Sequence, residues 1–503
     1  MDMKKNRSGR RQKLSAILSF LAAAVVALGG CGEKQTAATD STQIELETEK
    51  AGNETAPEGQ DESGKQDVEP GLDGKHTGSS GGETQEQPAE ETPVSGRKNG
   101  KTPVADSGPL PKAENGRWLE NIMLGTDIHY FSDSLTDGGP RFQEMVEYGD
   151  GKMVDHIDEI TDAFLDEVVK LRPDVLVLSG DLTLNGEKAS HKDLAEKLHR
   201  VENHGIPVLV IPGNHDINNR QAACYKGDER MPAEYTTPRE FREIYKAFGY
   251  DEAASEDPAS LSYLYELDDH VWLLMIDSCQ YDPIARVGGG ISEETYEWIE
   301  EQLEAAADND ARIIPIAHHN LLDESEIYID ECTIEHSEQF VELLEDWDVP
   351  LFLSGHLHVQ HYKRSDENRG IWEMVTSSLA TPACKYSILT YRDDDSFLYR
   401  TRSLDAEQWS GASFLRRVFY NQAMRALNRL PELTETEKEQ MSRLYSLLKY
   451  HYYQGTAYQV QDAVRNDPAY EMWQEEGAPT QQSEYFQYIL DDGVQDYNRL
   501  ESD

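Results

Sequence analysis

The chain is short of cysteine and of positive charge, and each shortage closes off a class of protein. Five cysteines stand among 503 residues. None has the paired spacing of a zinc knuckle. Cys224, Cys279, Cys332 and Cys384 would admit three disulfide pairings in an exported chain. Cys279 and Cys384, however, sit in apolar, strand-like runs that read as buried free thiols. Forty-seven Lys and Arg face ninety-five Asp and Glu, a formal net charge of −48. A surface so poor in cations cannot displace the counterions of a nucleic-acid polymer, and it repels anionic lipid head groups. The apolar stretch Leu14–Leu28 is also shorter than the ~20 residues that a membrane-spanning helix needs.

That stretch is better read as an export signal occupying residues 1–30. Lys4, Lys5, Arg7, Arg10, Arg11 and Lys13 precede it and small residues end it, the layout of a signal peptide. Arg10-Arg11 lacks the rest of a twin-arginine pattern. The end of the segment, Leu28-Gly29-Gly30-Cys31, resembles the lipobox of bacterial lipoproteins. The resemblance implies cleavage before Cys31 and acylation of its sulfur, anchoring the protein on the outer face of the membrane. A plain secretory signal is the alternative.

Residues 31–115 hold almost no large apolar side chains. Such a segment buries too little surface to offset its ordering entropy, so a disordered acidic tether is expected. As a coil of about 85 residues it would span ~50 Å, a reach suited to a Gram-positive wall. The tether does not carry the charge. Residues 1–30 are net basic by five and residues 31–115 net acidic by ten, which leaves about −43 on the remainder.

From residue 116 to 404, apolar runs alternate with amphipathic ones, the signature of a layered α/β domain. Ile122–Gly125, Val175–Ser179, Pro207–Ile211, Val271–Ile276, Ile313–Ile316 and Leu351–Leu353 read as strands, with Trp372–Ser377 and Tyr386–Tyr391 after them. Met153–Leu171, stopping before Pro173, and Lys188–Asn203 read as helices. Residues 405–503 form a helical appendage: Ser413–Leu430, Thr434–Tyr453 with a Thr434/Glu437 capping box, and Ala457–Trp473. Covering an apolar flank of the α/β domain is its expected role, ahead of shaping a cleft; any protein partner of this tail is unknown.

Five polar motifs follow the strand-like runs in order. They are Asp127-Ile128-His129, Gly180-Asp181, Gly213-Asn214-His215-Asp216, Ala317-His318-His319 and Gly355-His356-Leu357-His358. This order places them at the same edge of one sheet. Asp127 and His129, two apart at a strand end, are expected to leave on one face. Asp181 has two oxygens and can bridge two cations, while Asn214 adds a ligand without charge. His318, His356 and His358 supply imidazoles. Two divalent cations against two carboxylates and a bridging hydroxide leave one net positive charge. That charge attracts a phosphodiester anion and leaves the hydroxide nucleophilic, with the metals about 3.5–4 Å apart. Oxygen and nitrogen ligands without a thiolate admit Mn, Fe, Zn or Co. A lone Asp-x-His or Gly-Asp is a weak signal, but five such motifs in order are a strong one. His191 and His361 have no such setting and read as core or surface residues.

Over roughly 116–404 this motif set resembles the calcineurin-like metallophosphoesterase superfamily. The resemblance implies a four-layer α/β/β/α sandwich with a dinuclear site at the strand ends. It implies one metal on Asp127, His129, Asp181 and His358, and another on Asp181, Asn214, His318 and His356. His215 would contact the phosphoryl oxygen or leaving group, and Asp216 would orient His215. The family's proline after the paired histidines is replaced here by Asn320-Leu321, and of the pair the resemblance selects His318. Gly180–His191 resembles the bacterial cyclic-nucleotide phosphodiesterase branch, and the helical tail is similar to that of its exported Gram-positive members. Leu184 stands where purple acid phosphatases carry tyrosine, so a purple ferric site is not implied.

The function expected is an extracytoplasmic dinuclear-metal phosphodiesterase for small diesters, cyclic nucleotides foremost. A phosphomonoesterase or nucleotidase is the alternative within the enzyme class. A non-catalytic surface lipoprotein is the alternative outside it.

Overall fold

The computed structural model describes Leu110 and residues 119–502, apart from 326, 328, 367–369, 476, 478 and 479. The expected export segment and Cys31 lie outside the described residues, as does the expected tether except Leu110. That residue is buried and donates its N–H to the Leu171 carbonyl at 3.0 Å, upstream of the start expected at 116.

The first strands are β1 (Leu119–Gly125), β2 (Val175–Ser179) and β3 (Val208–Ile211), then the hairpin of β4 (Ala223–Lys226) and β5 (Glu229–Pro232). Next come β6 (Ser255–Glu256), β7 (Tyr263–Glu266), β8 (Val271–Ile276), β9 (Arg312–Ala317) and β10 (Leu351–Ser354). The last are β11 (His361–Arg364), β12 (Trp372–Val375), β13 (Lys385–Arg392), β14 (Phe397–Ser403) and β15 (Arg499–Glu501). The helices of the α/β region are α1 (Pro140–Tyr148), α2 (Ile157–Leu171), α3 (Lys188–Glu202), α4 (Pro238–Ile244), α5 (Glu293–Asp308), α6 (Ile329–Cys332) and α7 (Ser337–Asp346). Those after it are α8 (Gly411–Leu427), α9 (Glu435–Tyr453), α10 (Gln461–Arg465), α11 (Pro468–Glu475) and α12 (Gln481–Asp492).

Two large sheets result, ordered β15-β14-β13-β1-β2-β3 and β11-β12-β10-β9-β8-β7-β6. β1, β2 and β3 are parallel neighbours, as are β8, β9, β10 and β12. Parallel strands covered on both faces read as unbroken apolar runs, and Val-Leu-Val-Leu-Ser of β2 is buried throughout. Period-two alternation assigns the faces of the second sheet. Val271, Leu273 and Met275 join the large core shared with the first sheet, whereas Trp272, Leu274 and Ile276 pack with Trp298, Ile299 and Phe340 of α5 and α7. Helices α2 and α3 contribute Phe164, Val168, Leu194 and Leu198 to the shared core. The α/β/β/α sandwich is therefore the fold. The motif-bearing strands, expected in one sheet, are divided between two: β1, β2 and β3 in the first, β9 and β10 in the second. Apolar runs of the same length and composition do not encode which sheet each joins.

Helix α2 stops where expected, with Arg172 in the left-handed region (φ 52°) before Pro173, and it begins as a 3₁₀ turn at Val154–His156. The Thr434/Glu437 capping box opens α9. The helix expected over Ala457–Trp473 is broken into a 3₁₀ turn (Ala457–Gln459), α10 and α11. Pro468 starts α11, where its missing N–H costs nothing.

The helical region has its own core, including Met441, Leu448, Trp473 and Phe486. Several contacts tie it to the sandwich. Strand β15 returns from residue 499 to pair with β14, crossing the boundary expected at 405. Leu357 and Val359, beside the metal motif of β10, pack into the helical core. His361 of β11 is buried between Glu324 and Asp492 of α12, contacting Glu324 Oε2 through Nδ1 and standing 3.1 Å from Asp492 Oδ2. Burial disfavours its charge, but these carboxylates outweigh burial and raise the imidazole to about 10. Cys224, Cys279, Cys332 and Cys384 are free thiols.

Trp473 is fully buried, and its indole N–H donates to the Met441 carbonyl at 2.9 Å. Trp473→Ala should cost about 3–5 kcal/mol of helical-region stability, read as a lowered denaturation midpoint followed by far-UV circular dichroism.

Candidate metal centre

Each motif leaves the C-terminal end of its strand within a few residues. Convergence then depends on unusual backbone. Asp127 (φ 51°), His129 (47°), Asp181 (48°), His356 (72°) and His358 (57°) all lie in the left-handed region. Non-glycine residues pay for that conformation, and functional sites are where such strain collects. Asp127 and His129 thus meet through two left-handed turns beyond β1, and not through the strand alternation expected. Backbone bonds pin those turns: Asp127 N–H donates to Gly180 O at 3.1 Å, and His129 N–H to Asp181 O at 2.9 Å. Two glycines permit the close approach. Gly180 holds φ +96°, and a Cβ there would stand 2.6 Å from His318 Nδ1. A Cβ on Gly355 would stand 2.1 Å from Thr126 Oγ1.

One donor cluster gathers Asp127, His129, Asp181 and His358. His129 Nε2 and His358 Nε2 are 3.1 Å apart, and His358 Nε2 is 3.2 Å from Asp127 Oδ1. The other oxygen, Asp127 Oδ2, accepts from Thr126 Oγ1 at 2.7 Å and from His356 N–H at 3.0 Å. Oδ1 is buried without a hydrogen-bond partner. A second cluster adjoins. His318 Nε2 is 3.1 Å from both Asn214 Oδ1 and His356 Nδ1. Asp181 reaches both clusters: Oδ1 is 3.4 Å from His318 Nε2, and Oδ2 is 3.7 Å from His129 Nε2.

The outer ring nitrogens are engaged by backbone carbonyls. His318 Nδ1–H donates to Ser179 O at 3.0 Å and His356 Nε2–H to Glu331 O at 2.9 Å. The inner nitrogens therefore bring lone pairs toward carboxylate and amide oxygens. Acceptor faces acceptor, which only shared positive charge can stabilise. Burial disfavours a charged His318, yet Asp181 outweighs it and lifts the imidazole to about 9. Burial and the His318 charge press His356 down to about 4. Burial raises the Asp181 carboxyl, but His318 and His215 carry it well below the carboxylate range. Converging imidazole nitrogens, carboxylates and an orphaned buried oxygen fit a metal cation in place of the proton.

His319 lies near His318 and His356, but both its nitrogens are occupied. Nε2–H donates to Val287 O at 2.8 Å, and Nδ1 is 2.8 Å from Ser278 Oγ. His318 is thus the member of the pair aimed into the site. The orienting role expected of Asp216 is corrected. Its Oδ1 accepts from Thr183 N–H and Oγ1 (2.9 Å each), and its Oδ2 accepts from Leu182 N–H (3.0 Å) and Gly213 N–H (2.8 Å). Those four bonds fill the carboxylate and lock the motif loops together. His215 is oriented by the Leu184 carbonyl, which accepts from Nδ1–H at 2.7 Å.

Sequence reading missed Glu373. Its carboxylate accepts from Leu321 N–H (2.8 Å), Leu322 N–H (2.6 Å) and Ser354 Oγ (2.6 Å), tying the His318 loop to β10. Burial, with Glu324 adding, pushes Glu373 up to about 8. A lone acid inside Trp-Glu-Met-Val was the available signal.

A cation held at pH 7 by His318, His356 and Asn214 would have to displace the proton of the raised His318 imidazole. Metal binding should release about one proton there, and affinity should climb with pH until about 9, then level off. Titration calorimetry in buffers of different ionisation enthalpy measures this; binding with no proton release would locate the cation elsewhere.

Residues 121–360 match the calcineurin-like phosphoesterase family, and residues 408–496 match the C-terminal domain of cyclic nucleotide phosphodiesterase. The chain is 26% identical over 284 residues to the probable cyclic nucleotide phosphodiesterase of Pseudoalteromonas sp. (strain SM9913), covering 56% of this chain and 87% of that one. It is 28% identical over 195 residues to the probable glycerophosphodiester phosphodiesterase of Arcobacter nitrofigilis, covering 38% and 58% respectively. Among solved structures, a dimetal phosphatase from Danio rerio is 13% identical with a TM-score of 0.40, covering 56% of this chain and 96% of that one. This chain therefore joins a calcineurin-like phosphoesterase domain to the C-terminal domain of cyclic nucleotide phosphodiesterase, and it is a metal-dependent phosphoric ester hydrolase.

Proposed function

We propose that the protein is a phosphodiesterase for small diesters, cyclic nucleotides foremost, with two metal positions joined by Asp181. The observation that carries this reading is the Asp181 carboxylate, whose two oxygens turn to two different clusters of imidazole nitrogens. Asp127, His129, Asp181 and His358 would hold one cation; Asp181, Asn214, His318 and His356 the other. Cations there would polarise the phosphoryl oxygens and acidify water. The relative named a probable cyclic nucleotide phosphodiesterase supports the substrate class.

The protein's own groups supply orientation and a proton. His215 belongs to neither cluster. Its Nδ1–H is held by a carbonyl, which makes Nε2, 3.9 Å from Asp181 Oδ2, the nitrogen that takes and gives protons. Its side chain is 15% exposed, the partial opening that a group meeting substrate requires. In hydrolysis a water oxygen adds to phosphorus as the ester P–O bond breaks; the leaving alkoxide takes a proton from His215 Nε2, and the proton that the attacking water sheds restores the ring.

The test is turnover of bis-p-nitrophenyl phosphate, p-nitrophenyl phosphate and 3′,5′- and 2′,3′-cyclic AMP with Mn²⁺, against EDTA controls. Diesters should lead. His215→Ala should lower kcat by about 10²–10⁴-fold with metal content intact, while Asp181→Asn should lose both metal and turnover. Monoester cleavage ahead of diesters would move the protein to the phosphatase class.

The reading includes location at the outer membrane face, and that part rests on the sequence Leu28-Gly29-Gly30-Cys31 alone. Cells fed labelled palmitate should incorporate it into the protein, and Cys31→Ala should abolish the label; label persisting in the variant would remove the anchor.

A further inference from the structure

Between α1 and α2 the chain runs Gly149-Asp150-Gly151-Lys152-Met153, a short loop linked through Ala380 to Asp127 and packed on the helical region. On the metal side, Met153 N–H donates to Ala380 O at 2.8 Å, and Ala380 N–H donates to the Asp127 carbonyl at 3.2 Å. On the helical side, Gly151 adopts φ +106°, and a Cβ there would stand 2.6 Å from Leu415 Cδ1 of α8. The bidentate pair of Arg417 with Glu147, both bonds 2.8 Å, fixes the same contact from outside. The loop is therefore set by the helical region and presented to the site.

Its two charged side chains face each other, with Lys152 Nζ 2.8 Å from Asp150 Oδ2. They differ in access. Lys152 is 7% exposed, whereas the Asp150 side chain keeps 40% of its surface open. What a solute meets is the carboxylate. His358 and His215 act on it from the metal side. Lys449 acts on it from the helical side. That lysine is caged: its Nζ lies 4.6 Å from the Phe419 ring centroid, 5.1 Å from Tyr485 and 3.0 Å from Gln422 Oε1. Crowding by protein pushes the Asp150 carboxyl up, but Lys152 and His358 outweigh it and leave the group at about 2. An open carboxylate, paired with Lys152, thus sits on a loop held through Ala380 to Asp127 on one side and packed on Leu415 of the helical region on the other.

We propose that Asp150 is a specificity-determining residue of the phosphoesterase site. It admits monoanionic diesters, accepts a hydrogen bond from a sugar hydroxyl or base amino group, and repels the second charge of a phosphomonoester. The inference rests on the diesterase reading above and deepens it. Coulomb repulsion at a partly exposed position is moderate and salt-sensitive, so discrimination of about ten-fold is the scale expected.

The experiment compares kcat/KM of the full chain, loaded with Mn²⁺, for 3′,5′-cyclic AMP and p-nitrophenyl phosphate at a pH where the monoester is a dianion. Wild type, Asp150→Asn and Asp150→Glu are measured. A ratio of two substrates on one preparation cancels any loss of folded enzyme. Asp150→Asn should lower the diester-to-monoester ratio about ten-fold, chiefly through a lower KM for the monoester. Asp150→Glu should restore the ratio, and added salt should shrink the difference. If wild type prefers the monoester, the diesterase reading falls and this inference with it. If wild type prefers the diester and Asp150→Asn leaves the ratio unmoved, or lowers both substrates equally, the inference alone is overturned.

Discussion

The organisation of this protein depends on one electrostatic constraint, the meeting of inward-facing ring nitrogens with carboxylate and amide oxygens in a buried space. Asp181 is its centre, reaching His318 with one oxygen and His129 with the other. Such an arrangement calls for positive charge, and the Asp181 carboxylate accordingly raises the His318 imidazole. The fold supplies the compensation that holds it. Carbonyls of Ser179 and Glu331 fix the outer ring nitrogens, and five left-handed residues, Asp127, His129, Asp181, His356 and His358, bring the donor side chains together. Strain of this kind persists only where surrounding structure over-determines it. Here Asp216 and Glu373 provide that bracing, each taking up several donors from the motif loops.

The helical region is part of this support. Leu357, lying between two site histidines, packs into the helical core, and His361 three residues on is buried between Glu324 and Asp492. Burying charged groups is costly unless they are paired, so this trio fixes where α12 meets the sandwich. The return of β15 to the first sheet closes the connection. The contacts by which the helical region packs on the sandwich also hold the loop at Asp150, through Leu415 against Gly151 and Arg417 on Glu147.

Much of this was legible from residue order. Apolar runs ending in Asp, Asn or His marked the strands, and the period of alternation marked the layers. Illegible features share a cause. The break at Asp467-Pro468 was visible in principle but masked by flanking helical periodicity. Strand β15 is three residues of charged and mixed character, with no apolar run to announce it. The resemblance made Asp216 the partner of its neighbour His215, whereas three of the four bonds to its carboxylate come from residues more than thirty positions away.

By itself, then, the sequence determined which side chains could bind a cation, that they lie at strand ends, and that an α/β core would carry them. Those properties follow from residue chemistry and local periodicity. Only tertiary structure decided that the motif-bearing strands belong to two sheets, that both nitrogens of His319 are occupied while His318 turns inward, and that Leu184 rather than Asp216 holds His215. These are questions of which groups meet across the fold. They are settled by sheet pairing, backbone turns and competition for hydrogen bonds, none of which is written in any single stretch of chain.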